Sequence, residues 1–346
     1  MQERKIYLDY LRILATYSVV LLHVASKYIG GENQDILLVY DGLVRWAVPM
    51  FVMISGSIFL DTEYNISIEK IWKRCLRLLA IMIVWSLVYC FFEICRGNSR
   101  ETVIQYALSG YWHMWFVFMI IGMYIISPVL KEISKNREVT WYYLFIILLF
   151  ASIIPTVRDG IIPYTRFGDN TYILTLFKNV DTMNLQFVLG FTGYYLLGSY
   201  LDNTDYDDRR VMLCIAMGLL GFAINIGGNL WLTHRTGRIV QVFDDSMRIN
   251  IVFECIGLYV CFKELVKRKI IGTFKVEKIR YASQLCFGTY LVHLLYRELL
   301  DIYFGFNVEV YISMPLWPLL CSLVIFGLSM GTSLVIMRIP GLRRFL

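Results

Sequence analysis

Residues 7–28 read YLDYLRILATYSVVLLHVASKY, and this stretch decides the class of fold. About twenty apolar residues in a row are long enough to cross a bilayer as a helix. Yet the run contains Arg12 and His23. Eleven residues of α-helix advance about 1100°, some 20° past three full turns, so both side chains lie on one stripe roughly 16 Å apart along the axis. Ionisable groups at membrane depth are costly and by default mark a functional site. A permanent cation near one end and a general base near the other suggest a long anionic ligand lying along the helix.

The remainder of the chain repeats the apolar pattern. Of 346 residues, 58% are hydrophobic and only 17% charged, and the mean hydropathy is +0.58. A soluble domain is nearer half apolar and about a quarter charged. The reading is an all-α, polytopic membrane helix bundle of about ten transmembrane helices. The spans fall near 8–28, 39–60, 72–94, 112–130, 141–157, 185–201, 211–232, 249–266, 283–304 and 314–337. Pro155 and Arg158 cut the fifth short. Pro49 and then Ser55-Gly56 are expected to loosen or kink the second near mid-membrane. Abundant Tyr, Phe and Trp suit interfacial belts. The first run has no short apolar region followed by a cleavage site, so no signal peptide is expected. No repeat or soluble portion stands out, and residues 1–346 read as a single membrane domain.

Basic residues orient the bundle. With both termini cytoplasmic, twenty-one Lys and Arg fall on the inner side and nine on the outer, while Arg12, Arg45 and Arg297 lie within spans. That asymmetry follows the positive-inside rule. Residues 158–184, with Gly, Pro, Asp, Asn and Arg, read as an outer loop over the bundle, and loops of such length are often lids. Segments 99–110 and 233–247 read as amphipathic pieces on the outer surface.

His23 is the candidate catalytic group, because an imidazole can take a proton from a hydroxyl near neutral pH; a packing hydrogen bond is the alternative. Arg12 lies a turn inside the inner boundary with Asp9 one turn before it, and lipid snorkelling competes with ligand binding there. Arg74 and Arg77, three apart in IWKRCLRLLA, share a helix face and present forks that match phosphate oxygens. For a lone cluster plain inner-leaflet anchoring is the commoner explanation, and the cluster matters because Arg12 would face the same side. Arg45 enters the second span from outside. His113 stands between Trp112 and Trp115 at the outer mouth of the fourth, where belt anchoring accounts for the tryptophans but not the histidine. His293 shares a face with Arg297. Glu254 lies deep in the eighth span and needs a partner or a proton. The eight cysteines form no C-x-x-C pair and read as apolar filler, with no metal site expected. P-loop, G-x-G-x-x-G, H-E-x-x-H and G-x-S-x-G motifs are absent, which argues against nucleotide hydrolases, zinc proteases and serine hydrolases; no nucleic-acid partner is expected.

Six blocks in order carry a family resemblance: Arg12 and His23 with ten residues between them, RWAVPMFVMISG, WKRCLRLL, HMWFVFMIIGMYIISPVL, FTGYYLLGSYL and CFGTYLVH. Together they resemble the acyltransferase-3 family of integral membrane O-acyltransferases, in its short membrane-only branch. The resemblance implies an acyl group, expected to be acetyl, moved from cytoplasmic acyl-CoA to a hydroxyl of a cell-surface or lipid-linked glycan at the plasma membrane. It implies catalysis by His23, as base or transient acyl carrier, and donor handling by Arg12, Arg74 and Arg77. Trp115 and Tyr124 would offer aromatic faces to sugar. Membrane lipids, and a further copy in a homo-oligomer, are the other partners considered. A polysaccharide or small-solute exporter is the main competing class, and a non-catalytic scaffold a third.

Overall fold

The computed structural model describes residues 5–31, 33–64, 67–165, 190–271, 276–307 and 315–345, with residues 168, 170, 175 and 177. Among them there is helix and no strand. The helices are α1 (Ile6–Ser26), α2 (Gln34–Gly42), α3 (Ala47–Phe59), α4 (Ile68–Cys95), α5 (Arg100–Ser109), α6 (Trp115–Lys135), α7 (Arg137–Ile147), α8 (Thr192–Asp202), α9 (Asp208–Phe222), α10 (Gly228–Thr236), α11 (Ile249–Lys267), α12 (Val276–Phe304) and α13 (Trp317–Arg338). Ser67, Ser99, Asn136 and Asp207 start α4, α5, α7 and α9 by accepting backbone N–H bonds on their side chains, which satisfies donors that a helix start leaves open.

Among the described residues, seven helical stretches are long and apolar enough to cross a membrane, those within 6–26, 34–59, 68–95, 100–135, 137–164, 208–236 and 317–338. Helices α8, α11 and α12 fall on three further expected spans but do not reach that standard. Residues 178–189, shortly before α8, lie outside those described, and α11 and α12 carry the ionisable groups of the bundle interior, including Glu254, Arg297 and Glu298. Most of the expected 158–184 loop and the start of the sixth span also lie outside the described residues.

Two interruptions differ from expectation. The second span is broken at 43–46, ahead of Pro49, while Ser55 and Gly56 sit in unbroken helix. The physical reason is that Pro49 has no N–H for the carbonyl four residues earlier and its ring crowds that carbonyl. The fifth span is not cut short at Pro155: wide π turns over Leu148–Ile153 and Thr156–Ile161 carry it on, giving the proline ring room. Residues 237–248 are turns rather than an amphipathic surface piece, and they bury Val240, Phe243 and Asp244.

Helix α1 lies at the centre, against α12, α3, α13, α2 and α11. Leu8, Leu11, Ala15 and Val19, three or four apart, make its core face, the spacing a helix stripe requires. Elsewhere helices meet backbone to backbone. A methyl group on Gly56 of α3 would stand 1.8 Å from the Tyr195 carbonyl of α8, and one on Gly198 of α8 would stand 2.1 Å from the Met53 carbonyl. Small residues that admit such approach are a standard device of membrane bundles.

Candidate active site

A cavity of about 680 Å³ runs between α1, α3, α4, α6 and α12, within the range of ligand pockets. Eight sequence-predicted residues line it: Arg12, His23, Arg45, Arg74, Arg77, His113, Trp115 and Tyr124. The remaining three, Asp9, Glu254 and His293, stand behind the wall.

The wall follows helical periodicity. From α1 come Arg12, Val19 and His23, and from α4 come Arg74, Arg77, Leu78 and Ile81. Those steps of three, four and seven place each set on one face. Arg74, Arg12 and Tyr124 form one neighbourhood: the Arg74 guanidinium lies 4.7 Å from the Phe59 ring centre and 5.5 Å from that of Tyr64, and Tyr124 stacks on Phe59 at 4.6 Å. Arg12 donates to Ser283 Oγ at 2.8 Å and pairs with buried Asp9 at 3.3 Å. Asp9 thus orients Arg12 without reaching the cavity. Lys73 faces away and pairs with Glu69.

At the opposite end three imidazoles pack together. His23 stacks on His293 at 5.3 Å with 22° between planes, and His293 meets His113 edge-on at 5.4 Å. Trp112 abuts His23 at 4.9 Å. His293 Nδ1 lies 2.6 Å from the Tyr290 carbonyl, and the Tyr290 hydroxyl donates to the His113 carbonyl at 2.6 Å. Both ring nitrogens of His113, and Nε2 of His293, are buried with no hydrogen-bond partner among the described residues. Buried polar atoms in that state are rare, and His113 is itself one of the residues that line the cavity. The Arg297 guanidinium donates to the His23 carbonyl at 3.1 Å while gripping Glu298.

Behind Arg45 lies a buried polar chain. Arg45 Nε donates to Asp41 Oδ2 at 2.7 Å, and Nη2 reaches Asp41 and, at 3.5 Å, Asp244. Gln241 donates to both carboxylates, and Asn229 donates to Asp244 and to Asn225. Asn225 in turn donates to Glu254 at 3.1 Å. The partner of Glu254 is therefore an amide, not the cation a lone carboxylate would suggest. A wide π turn at Ala223–Gly227 carries Asn225 inward. Two carboxylates share one guanidinium in this chain: burial pushes Asp244 up to about 8, with Asp41 adding to the rise and Arg45 opposing it.

Asp41, Asp244 and Tyr290 were not singled out from the sequence. The spacing of four between Asp41 and Arg45 was a readable helix signal. Asp244 lies some 200 residues from Asp41 in the chain, and nothing local marks it.

These features define a polytopic helical membrane protein with a buried imidazole cluster at one end of a cavity and guanidinium groups at the other. The chain belongs to the acyltransferase-3 family: the family model, described as an acyltransferase domain, matches residues 5–337. It is similar to proteins named "Probable poly-beta-1,6-N-acetyl-D-glucosamine export protein" from Staphylococcus aureus. Those of strains MW2 and N315 are each 21% identical, and that of strain MRSA252 is 20% identical, with 97% of this chain and 94% of theirs covered. No solved structure matches.

Proposed function

We propose that this multi-pass membrane acyltransferase moves an acyl group, acetyl in the first instance, from cytoplasmic acyl-CoA to a hydroxyl of a surface or lipid-linked glycan at the plasma membrane. The observation that carries the reading is one cavity bordered by Arg12, Arg74 and Arg77 and by His23. Guanidinium forks bind phosphate in two-point fashion, so they suit the phosphate-rich head of coenzyme A. Its thin arm would follow the apolar wall of Ile54, Leu78, Ile81 and Ile120 to bring the thioester toward His23. There the imidazole acts as base on the acceptor hydroxyl, or carries the acyl group briefly. Trp115, about half exposed at the cavity wall, offers a face for a pyranose ring. The relatives' name points to a β-1,6-linked N-acetylglucosamine polymer as the acceptor. About ten crossings with both termini inside would put the arginines on the donor's side.

The test is the O-acyl content of surface glycan in cells carrying His23→Ala. Loss of acylation at normal protein level is expected; unchanged acylation sinks the catalytic role of His23. Export of the polymer is the second reading, favoured by the relatives' name. Polymer flux in sealed vesicles without acyl-CoA would support export instead.

A further inference from the structure

We infer that Arg45 stabilises the oxyanion formed during acyl transfer, with Asp41 and Asp244 as its positioning residues. The inference rests on the function proposed above and adds a residue to its chemistry.

Arg45 lies at the break between α2 and α3, off regular helix, and borders the cavity that His23, His113 and Ser246 also line. Its fork is divided. Nε and Nη2 are held by Asp41 and Asp244, which are 0% and 5% exposed. Gln241 ties the two carboxylates to each other. Nη1 makes no hydrogen bond to any described residue. Here one amino group is left over, on a side chain locked in place by two buried carboxyl groups. Preorganised donors of this kind are what transition-state charge requires, because they need no rearrangement when the charge appears.

The step is a simple acyl transfer. The acceptor oxygen bonds to the thioester carbonyl carbon as its proton passes to the His23 ring. The carbonyl electron pair moves onto oxygen, where Arg45 Nη1 meets it. The pair then returns, the carbon–sulfur bond breaks, and the thiolate leaves with the proton from His23. An ester and the coenzyme A thiol result.

The experiment uses the full chain in nanodiscs, [14C]acetyl-CoA and a β-1,6-linked N-acetylglucosamine oligosaccharide, with Arg45→Lys, Arg45→Gln and Asp41→Asn. Removing one oxyanion donor costs about 10²–10³ in kcat. Arg45→Gln should fall by that factor with the KM for acetyl-CoA unchanged, and Asp41→Asn by about tenfold. Arg45→Lys, which keeps the charge but not the fork, should fall in between. A thermal shift on adding coenzyme A, equal to wild type in each variant, shows that fold and donor site are intact. Should Arg45→Gln keep wild-type kcat, or lose only KM, the inference is overturned while the proposed function stands. A wild-type protein that transfers no label overturns that function, and the role of Arg45 falls with it.

Discussion

At the scale of single residues, the charged groups that interrupt the cavity's largely apolar wall have partners that are mostly buried and specific. Arg12 has Asp9 and Ser283, His23 has the ring of His293 and the guanidinium of Arg297, and Arg45 has two aspartates. Asp244 yields a prediction. Its carboxyl is raised in the folded protein from the ordinary range to about 8, so the folded state holds a proton that the unfolded chain releases near pH 4. Stability from this group is full below about pH 4 and is lost as pH rises through about 8. Asp244→Asn mimics the protonated acid and should flatten that dependence. Melting temperatures in detergent from pH 5 to 9 should drop less with rising pH in the variant than in wild type; equal slopes would refute the assignment. At the same scale, Arg12, His23, Arg74 and Arg77 were legible because their spacings are helical. The pairing of Arg45 with Asp244 was not, since it joins two elements through a fold that no local pattern encodes.

At the scale of elements, close helix contacts set the shape of the cavity. α3 supplies Phe51, Ile54 and Ser55 to its wall and is pinned from behind by α8. The pin has no room for a methyl group at Gly56 or Gly198, where backbone oxygens stand 1.8 Å and 2.1 Å from where a Cβ would lie. Overpacking costs about 1–3 kcal/mol where side chains can yield, and a backbone carbonyl yields less. Gly56→Ala and Gly198→Ala should each lower the yield of monodisperse protein severely. Gly331→Ala, which meets open space, should be silent. Normal yield and melting for Gly56→Ala would show that α3 and α8 are not so closely joined. The Ser55-Gly56 pair, expected from the sequence to loosen or kink the helix, is instead a place of close approach, and the break itself lies at 43–46. The run of apolar residues foretold helices but not where they break, because a proline's effect falls on a carbonyl one turn earlier.

At the scale of the whole molecule, the proposed reaction requires the two ends of the cavity to belong to different environments, with coenzyme A on one side and a surface glycan on the other. By the positive-inside rule, the basic asymmetry of the chain predicts that both termini lie inside. A green fluorescent protein fused at either end should fluoresce in a bacterial host, and alkaline phosphatase at the same positions should be inactive. The reverse pattern would place Arg12, Arg74 and Arg77 outside and end the donor assignment.

The amino-acid sequence by itself determined that the chain is helical and membrane-embedded, that Arg12 and His23 share a stripe, and which family it resembles. Those features follow from local periodicity and from the cost of burying ionisable groups in hydrocarbon, both of which can be read along the chain. Only the tertiary structure decided that α4 and α6 close the cavity beside α1, that His293 and His113 pack with His23, and that Asp41 and Asp244 hold Arg45. These contacts join residues up to about 270 positions apart, and such pairings depend on how whole helices pack, which no short window of sequence contains.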